Sequence, residues 1–96
     1  MTNNARRNDA TDLIWQERDR QERKWGEQNH HPALWATILG EEFGEFCEAV
    51  NETAFENGVH REKGGYENMM RELTHVAAVA IAAMECLMRH KPEETK

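Results

Sequence analysis

The stretch Leu39-Gly40-Glu41-Glu42-Phe43-Gly44-Glu45-Phe46 lies at the centre of the segment that decides the fold. Around it, apolar side chains recur at the spacing of one helix face: Trp35, Ile38, Leu39, Phe43, Phe46 and Val50. Glu42 falls inside this apolar arc, whereas Glu45 lies at its edge. A buried carboxylate costs several kcal/mol unless it is paired or bound to a metal. The pattern therefore predicts a helix on which Glu42 faces a cation.

Length and composition indicate one small, acidic domain. The chain has 96 residues, of which 39% are apolar and 31% are charged, so its own core is modest and pairing with a second copy is the usual remedy. We therefore expect a homodimer or a homotetramer. The net charge of -6 argues against binding to a nucleic acid polymer and suits a protein that binds divalent cations.

No stretch of the sequence is typical of an exported or membrane-bound protein. The N-terminus lacks an apolar signal-peptide core, and the longest apolar run, residues 76–84, is far shorter than the roughly 20 residues of a membrane span. Cys47 and Cys86 lack the spacing of a zinc site and fit small buried side chains in a reducing compartment. The sequence therefore predicts a soluble cytoplasmic protein with no membrane partner.

Three helices and no strand are predicted, so the expected fold class is all-α. Residues 1–8 are polar and are predicted to be disordered. A first helix is expected from Asp9 to Trp25, where Gly26 ends it. Its apolar stripe is thin, which fits either a cover helix over the others or a solvated charged helix. Residues 9–90 are expected to form a single helical domain, followed by a tail at 91–96.

The second and third helices are expected to form a hairpin, from Pro32 to Phe55 and from Tyr66 to His90. The last helix is apolar almost all round its middle. One face is predicted to pack on the central helix: Tyr66, Met69, Met70, Leu73, Ala77, Ala80, Ile81, Met84 and Leu87. A second face carries Val79, Ala83 and Cys86. A helix buried on two sides needs two neighbours, so we expect a four-helix-bundle-type oligomer.

Two motifs on the hairpin carry candidate metal ligands. Glu42 and Glu45 are spaced i,i+3 on the central helix, and Glu72 and His75 have the same spacing on the last one. Side chains three apart lie on one helix face, so two facing helices can bring all four around one ion. Carboxylates favour Mg²⁺, and an imidazole shifts the preference towards Mn²⁺. Alternatively, the glutamates form a solvated face and His75 is a hydrogen-bonded core histidine.

The same residues resemble the motifs of a known family. The segments Glu41-Glu42-Phe43-Gly44-Glu45 and Glu72-Leu73-Thr74-His75 are similar to the EExxE and ExxD motifs of the MazG-like all-α nucleotide pyrophosphohydrolases, with His75 at the position of the aspartate. The preceding Lys24-Trp25-Gly26-Glu27-Gln28-Asn29-His30 is similar to the tryptophan and Q-x-H segment of that family. The resemblance extends from Arg20 to Arg89.

This resemblance implies a fold, a reaction and a ligand set. The fold is a helical hairpin that assembles into a four-helix-bundle dimer or a dimer of dimers. The reaction is Mg²⁺-dependent hydrolysis of a nucleoside triphosphate, NTP or dNTP, to the monophosphate and pyrophosphate. The implied metal ligands are Glu42, Glu45 and Glu72, with His75 at the fourth position. Glu41 is implied to orient or deprotonate the attacking water.

The segment before the central helix supplies candidate substrate-binding residues. An aromatic ring can stack on a base and Gln or His can hydrogen-bond its edge, so Trp25, Gln28 and His30 are candidates for the base and sugar. Packing is the alternative role for Trp25 and the favoured one for Trp35. Three basic residues are candidates for the phosphates: Lys24, Arg61 and Lys63.

Three hypotheses follow for function. The first is a small metal-dependent nucleotide pyrophosphohydrolase, whose minimal size fits a phage-borne or prophage-borne protein. The second is a relative of the same fold that binds a nucleotide without hydrolysing it. The third is a helical dimerisation module whose glutamates belong to the surface, in which case Glu42 should be paired with an arginine or a lysine.

Overall fold

The computed structural model describes residues 2–55 and 65–92 and has three helices: α1 (Asn3–Trp25), α2 (Pro32–Phe55) and α3 (Tyr66–His90). These residues contain no strand, which confirms the all-α class. The bounds of α2 and α3 are those predicted. Arg61 and Lys63 lie outside the described residues, as do residues 93–96 of the predicted tail. No described helix combines the length and the apolar character needed to cross a membrane.

The first helix begins earlier than predicted. Thr2 caps it, because the Thr2 hydroxyl accepts a hydrogen bond from the N–H of Ala5 at 3.0 Å. The predicted disorder is therefore wrong for residues 2–8, all but the first of which are helical. The end at Trp25 is as predicted: Gly26 has a φ of 69° and donates its N–H to the Glu22 carbonyl at 2.8 Å.

The core lies between α2 and α3, which run antiparallel. Trp35 near the start of α2 is 5% exposed and packs among Val79, Ala82 and Cys86 of α3. The predicted packing face of α3 is thus wrong, because it is the face with smaller side chains that meets α2. Small residues leave room for the large Trp35 indole and let the two helices approach closely.

The opposite side of α3 carries an exposed apolar stripe. We call it the α3 stripe, and its members recur at alternating intervals of four and three residues: Tyr66, Met70, Leu73, Ala77, Ala80, Met84 and Leu87. Its larger side chains are 45–83% exposed. The radius of gyration of 16.1 Å also exceeds the ~12–13 Å of a compact domain of this length. The single chain therefore leaves a long apolar helix face uncovered.

The first helix packs along α3 and runs in the same direction. Its one buried residue within the described part of the chain is Arg18, which donates hydrogen bonds to Glu85 of α3 at 2.5 Å and to Glu22 at 2.9 Å. Near the ends of the two helices, Glu27 pairs with Arg89 at 3.6 Å. Polar contacts rather than a large apolar surface therefore fix the position of α1.

Candidate metal centre

Three candidate ligands converge where α2 faces α3. Donor atoms of Glu42, Glu72 and His75 lie within 4.8 Å of one another. His75 Nδ1 is 3.6 Å from Glu72 Oε2 and 3.8 Å from Glu42 Oε2. The i,i+3 spacing on α3 places its two members on the face that meets α2. Antiparallel packing then brings Glu42 to the same level, so three of the four predicted ligands form one group.

Two carboxylate oxygens in this group have no hydrogen-bond donor. Glu42 Oε2 and Glu72 Oε2 are buried atoms that accept no hydrogen bond, and the side chains are 27% and 16% exposed. A buried acceptor without a partner is rare in folded proteins and is destabilising. Two of them on facing helices, both within 4 Å of one imidazole, mark a place where a cation would be stabilised.

The pKa values of two carboxyl groups are raised, because burial and neighbouring carboxylates disfavour the ionised form of each group. Burial raises the pKa of Glu42, and the charges of Glu72, Glu17 and Glu41 raise it further against the opposing effect of His75. Burial likewise raises the pKa of Glu45, followed by the charge of Glu42. A divalent cation would remove both effects, because it favours the ionised form of each neighbouring carboxyl group.

The remaining predicted ligand and the predicted base lie at the rim. Glu45 is exposed and borders the same cavity as Glu42, but it is not part of the compact group of three. Glu41 is exposed on α2. The exposed position of Glu41 suits a group that accepts a proton from water, whereas Glu45 interacts with Glu72 at the edge of the group.

An unpredicted carboxylate from α1 completes the surroundings of the imidazole. Glu17 Oε2 lies 3.7 Å from His75 Nε2, and the Glu17 side chain is only 10% exposed. Arg20 donates two hydrogen bonds to Glu17, at 2.8 and 2.6 Å, and thereby lowers the pKa of that carboxyl. His75 is thus bordered by carboxylates from all three helices. In the sequence, the i,i+3 pair of Glu17 and Arg20 looks like any solvated helix pair.

The group formed by Glu42, Glu72 and His75 is called the metal cluster below, because its members are candidate ligands. A cavity of about 380 Å³ opens beside the cluster. We call it the site cavity; Glu42, Glu45 and His75 border it together with Trp25, Gln28 and Trp35. Two of the predicted substrate-binding residues therefore lie next to the cluster. Trp25 is 51% exposed, whereas Trp35 is a core residue, so the first has the more accessible ring for stacking.

The other two predicted substrate-binding residues lie further away. Lys24 is outside the lining of the site cavity, and its ammonium nitrogen sits 4.7 Å from the centroid of the Trp25 ring. His30 packs edge-on against Trp35, with 4.9 Å between the ring centroids, and lines a separate cavity beside Cys86. The structure therefore gives His30 a packing contact and does not bring it to the site cavity.

Arg89 at the end of α3 positions the loop that carries Gln28. Arg89 donates two hydrogen bonds to the Asn29 side-chain oxygen, at 3.2 and 3.0 Å, and a third to the Gln28 carbonyl at 3.0 Å. His31 Nδ1 then accepts the N–H of Ala33 at 3.0 Å, at the start of α2. The short loop between α1 and α2 is therefore fixed at both ends.

Comparison with known proteins finds no matching family model, curated protein or solved structure. The described residues form three helices, with a group of two glutamates and a histidine beside a cavity lined in part by tryptophans.

The residue at position 75 should decide which ion the candidate site prefers. In His75→Asp, a carboxylate replaces the imidazole, so we expect Mg²⁺ affinity to rise relative to Mn²⁺ affinity by about tenfold. Titration calorimetry with each ion measures this ratio. His75→Asn is the matched control, because it removes the imidazole without adding charge. An equal Mg²⁺ to Mn²⁺ ratio in the two variants would show that the position does not contact the ion.

Proposed function

We propose that the protein is a metal-dependent nucleoside triphosphate pyrophosphohydrolase, which converts NTP or dNTP and water to the monophosphate and pyrophosphate. One observation carries the proposal: Glu42, Glu72 and His75 converge on one point, and a cavity with an exposed tryptophan opens beside them. The reaction is the one that the MazG-like motifs imply. One fold can carry many different functions, so the residues of the site support the proposal more strongly than the helical architecture does.

The donor set fits Mg²⁺ or Mn²⁺. Two buried carboxylate oxygens without donors offer hard ligands of the kind these ions prefer, and His75 supplies a nitrogen that Mn²⁺ accepts more readily. A bound ion would neutralise phosphate oxygens and lower the pKa of a coordinated water. Glu45 at the rim of the site cavity is the remaining candidate ligand.

The chain's own residues would orient the substrate and accept a proton. Trp25 is 51% exposed at the edge of the site cavity and can stack on a base if the Lys24 or Arg20 side chain over its ring moves aside. Gln28 can hydrogen-bond the edge of that base. Glu41, which is exposed on α2 next to Glu42, is the candidate for accepting a proton from the attacking water. The protein would thus contribute binding and orientation at one end of the site and proton transfer at the other.

The working unit would contain at least two copies. The chain exposes 7406 Å², whereas a compact monomer of 11.2 kDa exposes about 5,700 Å². The α3 stripe has the four-and-three spacing with which helices pack in bundles. Pairing of two stripes would place α2 and α3 of both copies in a four-helix bundle and leave the metal cluster on the opposite side of α3.

A nucleotide-binding protein without hydrolytic activity is the second candidate. It is favoured by one observation: His75 lies within 3.8 Å of carboxylates from all three helices, so a protonated imidazole can balance their charge without a metal. The third hypothesis, a dimerisation module, predicts that Glu42 is paired with an arginine or a lysine. Among the described residues, Glu42 instead forms an ion pair with His75.

An assay of pyrophosphate release tests the proposal. The purified protein is incubated with canonical and modified nucleoside triphosphates in Mg²⁺, in Mn²⁺ and in excess chelator. We expect release of pyrophosphate and monophosphate in equal amounts that stops in chelator and resumes when metal is restored. Saturable nucleotide binding without any release would instead identify the second candidate.

A further inference from the structure

A groove between α1 and the first turns of α3 adjoins the metal cluster. We call it the arginine groove; it has a volume of about 630 Å³, and Arg20, Arg23 and Arg71 line it. It shares Glu17, Arg20 and His75 with the site cavity. The arginine groove extends from the start of α3 to His75, and the site cavity continues from His75 to Ala82. The metal cluster therefore lies where the two meet.

The groove collects positive charge in a chain whose net charge is -6. Glu17 already compensates Arg20 through its two hydrogen bonds. Arg23 makes no hydrogen bond or ion pair with another described residue, and Arg71 forms a long ion pair with Glu72 at 3.9 Å. The groove thus holds two arginines with little compensation against the single remaining carboxylate of Glu67.

We propose that the arginine groove binds the pyrophosphate end of the nucleotide, through Arg23 and Arg71, while the base lies towards Trp25 and Gln28. This inference rests on the proposed function and adds the direction in which the substrate lies. Guanidinium groups match the geometry of phosphate oxygens and stay charged at any physiological pH. The order of groove, metal cluster and aromatic end is the order of pyrophosphate, scissile bond and base along a nucleoside triphosphate.

The assignment differs from the positions that the sequence favours for the phosphates. Lys24 lies over the Trp25 ring, with its ammonium nitrogen 4.7 Å from the ring centroid, and does not line the groove. Arg23, its neighbour in the chain, lines the groove together with Arg71. The helical turn of about 100° per residue separates the two side chains, so adjacent basic residues take different surroundings.

Calorimetry with two probes tests the direction of binding. Inorganic pyrophosphate with Mg²⁺ probes the groove, and a panel of nucleoside monophosphates with Mg²⁺ probes the aromatic end. We expect Arg23→Ala and Arg71→Ala each to weaken pyrophosphate binding about tenfold, as expected for a charge-assisted hydrogen bond, and to leave monophosphate binding nearly unchanged. Arg7→Ala, an exposed arginine of the same helix, is the matched control and should bind both probes like the parent.

The outcomes separate this inference from the proposed function. Pyrophosphate binding that depends on Arg23 and Arg71 supports the groove assignment even if no triphosphate is hydrolysed, in which case the proposed function fails alone. Unchanged pyrophosphate binding in both variants overturns the assignment even if the parent is an active hydrolase. Equal losses for both probes, or a changed sedimentation coefficient, would also overturn it, because the groove would then support the fold or contact a second copy.

Discussion

Replacing Glu42 with glutamine should reduce metal-dependent pyrophosphate release by about 100-fold or more, because a metal site contributes several kcal/mol to stabilising the transition state. Glutamine keeps the shape of the side chain and removes its charge. Glu42 is the member of the group of three that α2 contributes, so its charge is the one that α2 brings to the group. Steady-state pyrophosphate release and a metal titration on the same preparation measure the loss of activity and the loss of metal affinity.

The same substitution should stabilise the metal-free protein. The pKa of Glu42 is raised above its ordinary value of 4.5, so the folded state binds more protons than the unfolded state between these two values. Stability therefore falls as the pH rises through that window, and the ionised carboxylate destabilises the apoprotein at neutral pH. Thermal unfolding in chelator should show a higher Tm for Glu42→Gln at neutral pH and no difference well below pH 4.5.

Glu48→Gln is the matched control, since it removes a carboxylate from an exposed position of the same helix. It should retain metal binding and activity. A Glu42→Gln variant that hydrolyses nucleotides as fast as the parent would show that the cluster is not the catalytic site. A variant that loses activity and also loses helicity would point to a structural role for Glu42. Thermal unfolding in chelator distinguishes this structural role from the loss of a metal ligand.

Replacing Met84 with lysine should convert the proposed oligomer into a monomer. Met84 belongs to the α3 stripe and is 54% exposed in the single chain, so the hairpin itself should tolerate the change. In a symmetric pair the substitution buries two like charges, and each buried, unpaired charge costs several kcal/mol. Dimer dissociation should become at least about 100-fold more favourable, which sedimentation at several protein concentrations measures.

Ala10→Lys adds the same charge at an exposed position of α1 and should leave the oligomer intact. A Met84→Lys variant that sediments like the parent would place the interface elsewhere. A parent protein that is monomeric at every concentration would contradict pairing through the α3 stripe altogether, and the exposed apolar face would then need another explanation.

The bounds of the hairpin could be predicted because their signals are local. Pro32 suits a first helical turn, and the heptad-like recurrence of apolar residues up to His90 marks a single long helix. Thr2 is also a local signal, but the polar composition around it favoured disorder. A hydroxyl that caps a long helix outweighs such composition, because it satisfies an N–H group that would otherwise be unpaired.

The packing of the helices could not be predicted in the same way. Both faces of α3 are apolar, and periodicity alone cannot tell which one meets α2; the large Trp35 indole decides it by favouring the smaller face. Glu17 was missed for a related reason. Its role depends on how far α1 is shifted along α3, and that shift is set by contacts such as Arg18 to Glu85, which join residues far apart in the sequence.

The first helix is held mainly by polar contacts and is therefore the part of the site with the weakest attachment. One buried arginine and a few ion pairs hold this helix, whereas an apolar core joins α2 to α3. Segments with few buried apolar contacts unfold locally at a smaller free energy than the rest of a protein. Amide protons of α1 should therefore exchange with solvent sooner than those of the hairpin. We therefore expect α1 to separate from α3 by local unfolding while α2 and α3 stay packed, and such opening would give a bulky ligand access to the metal cluster.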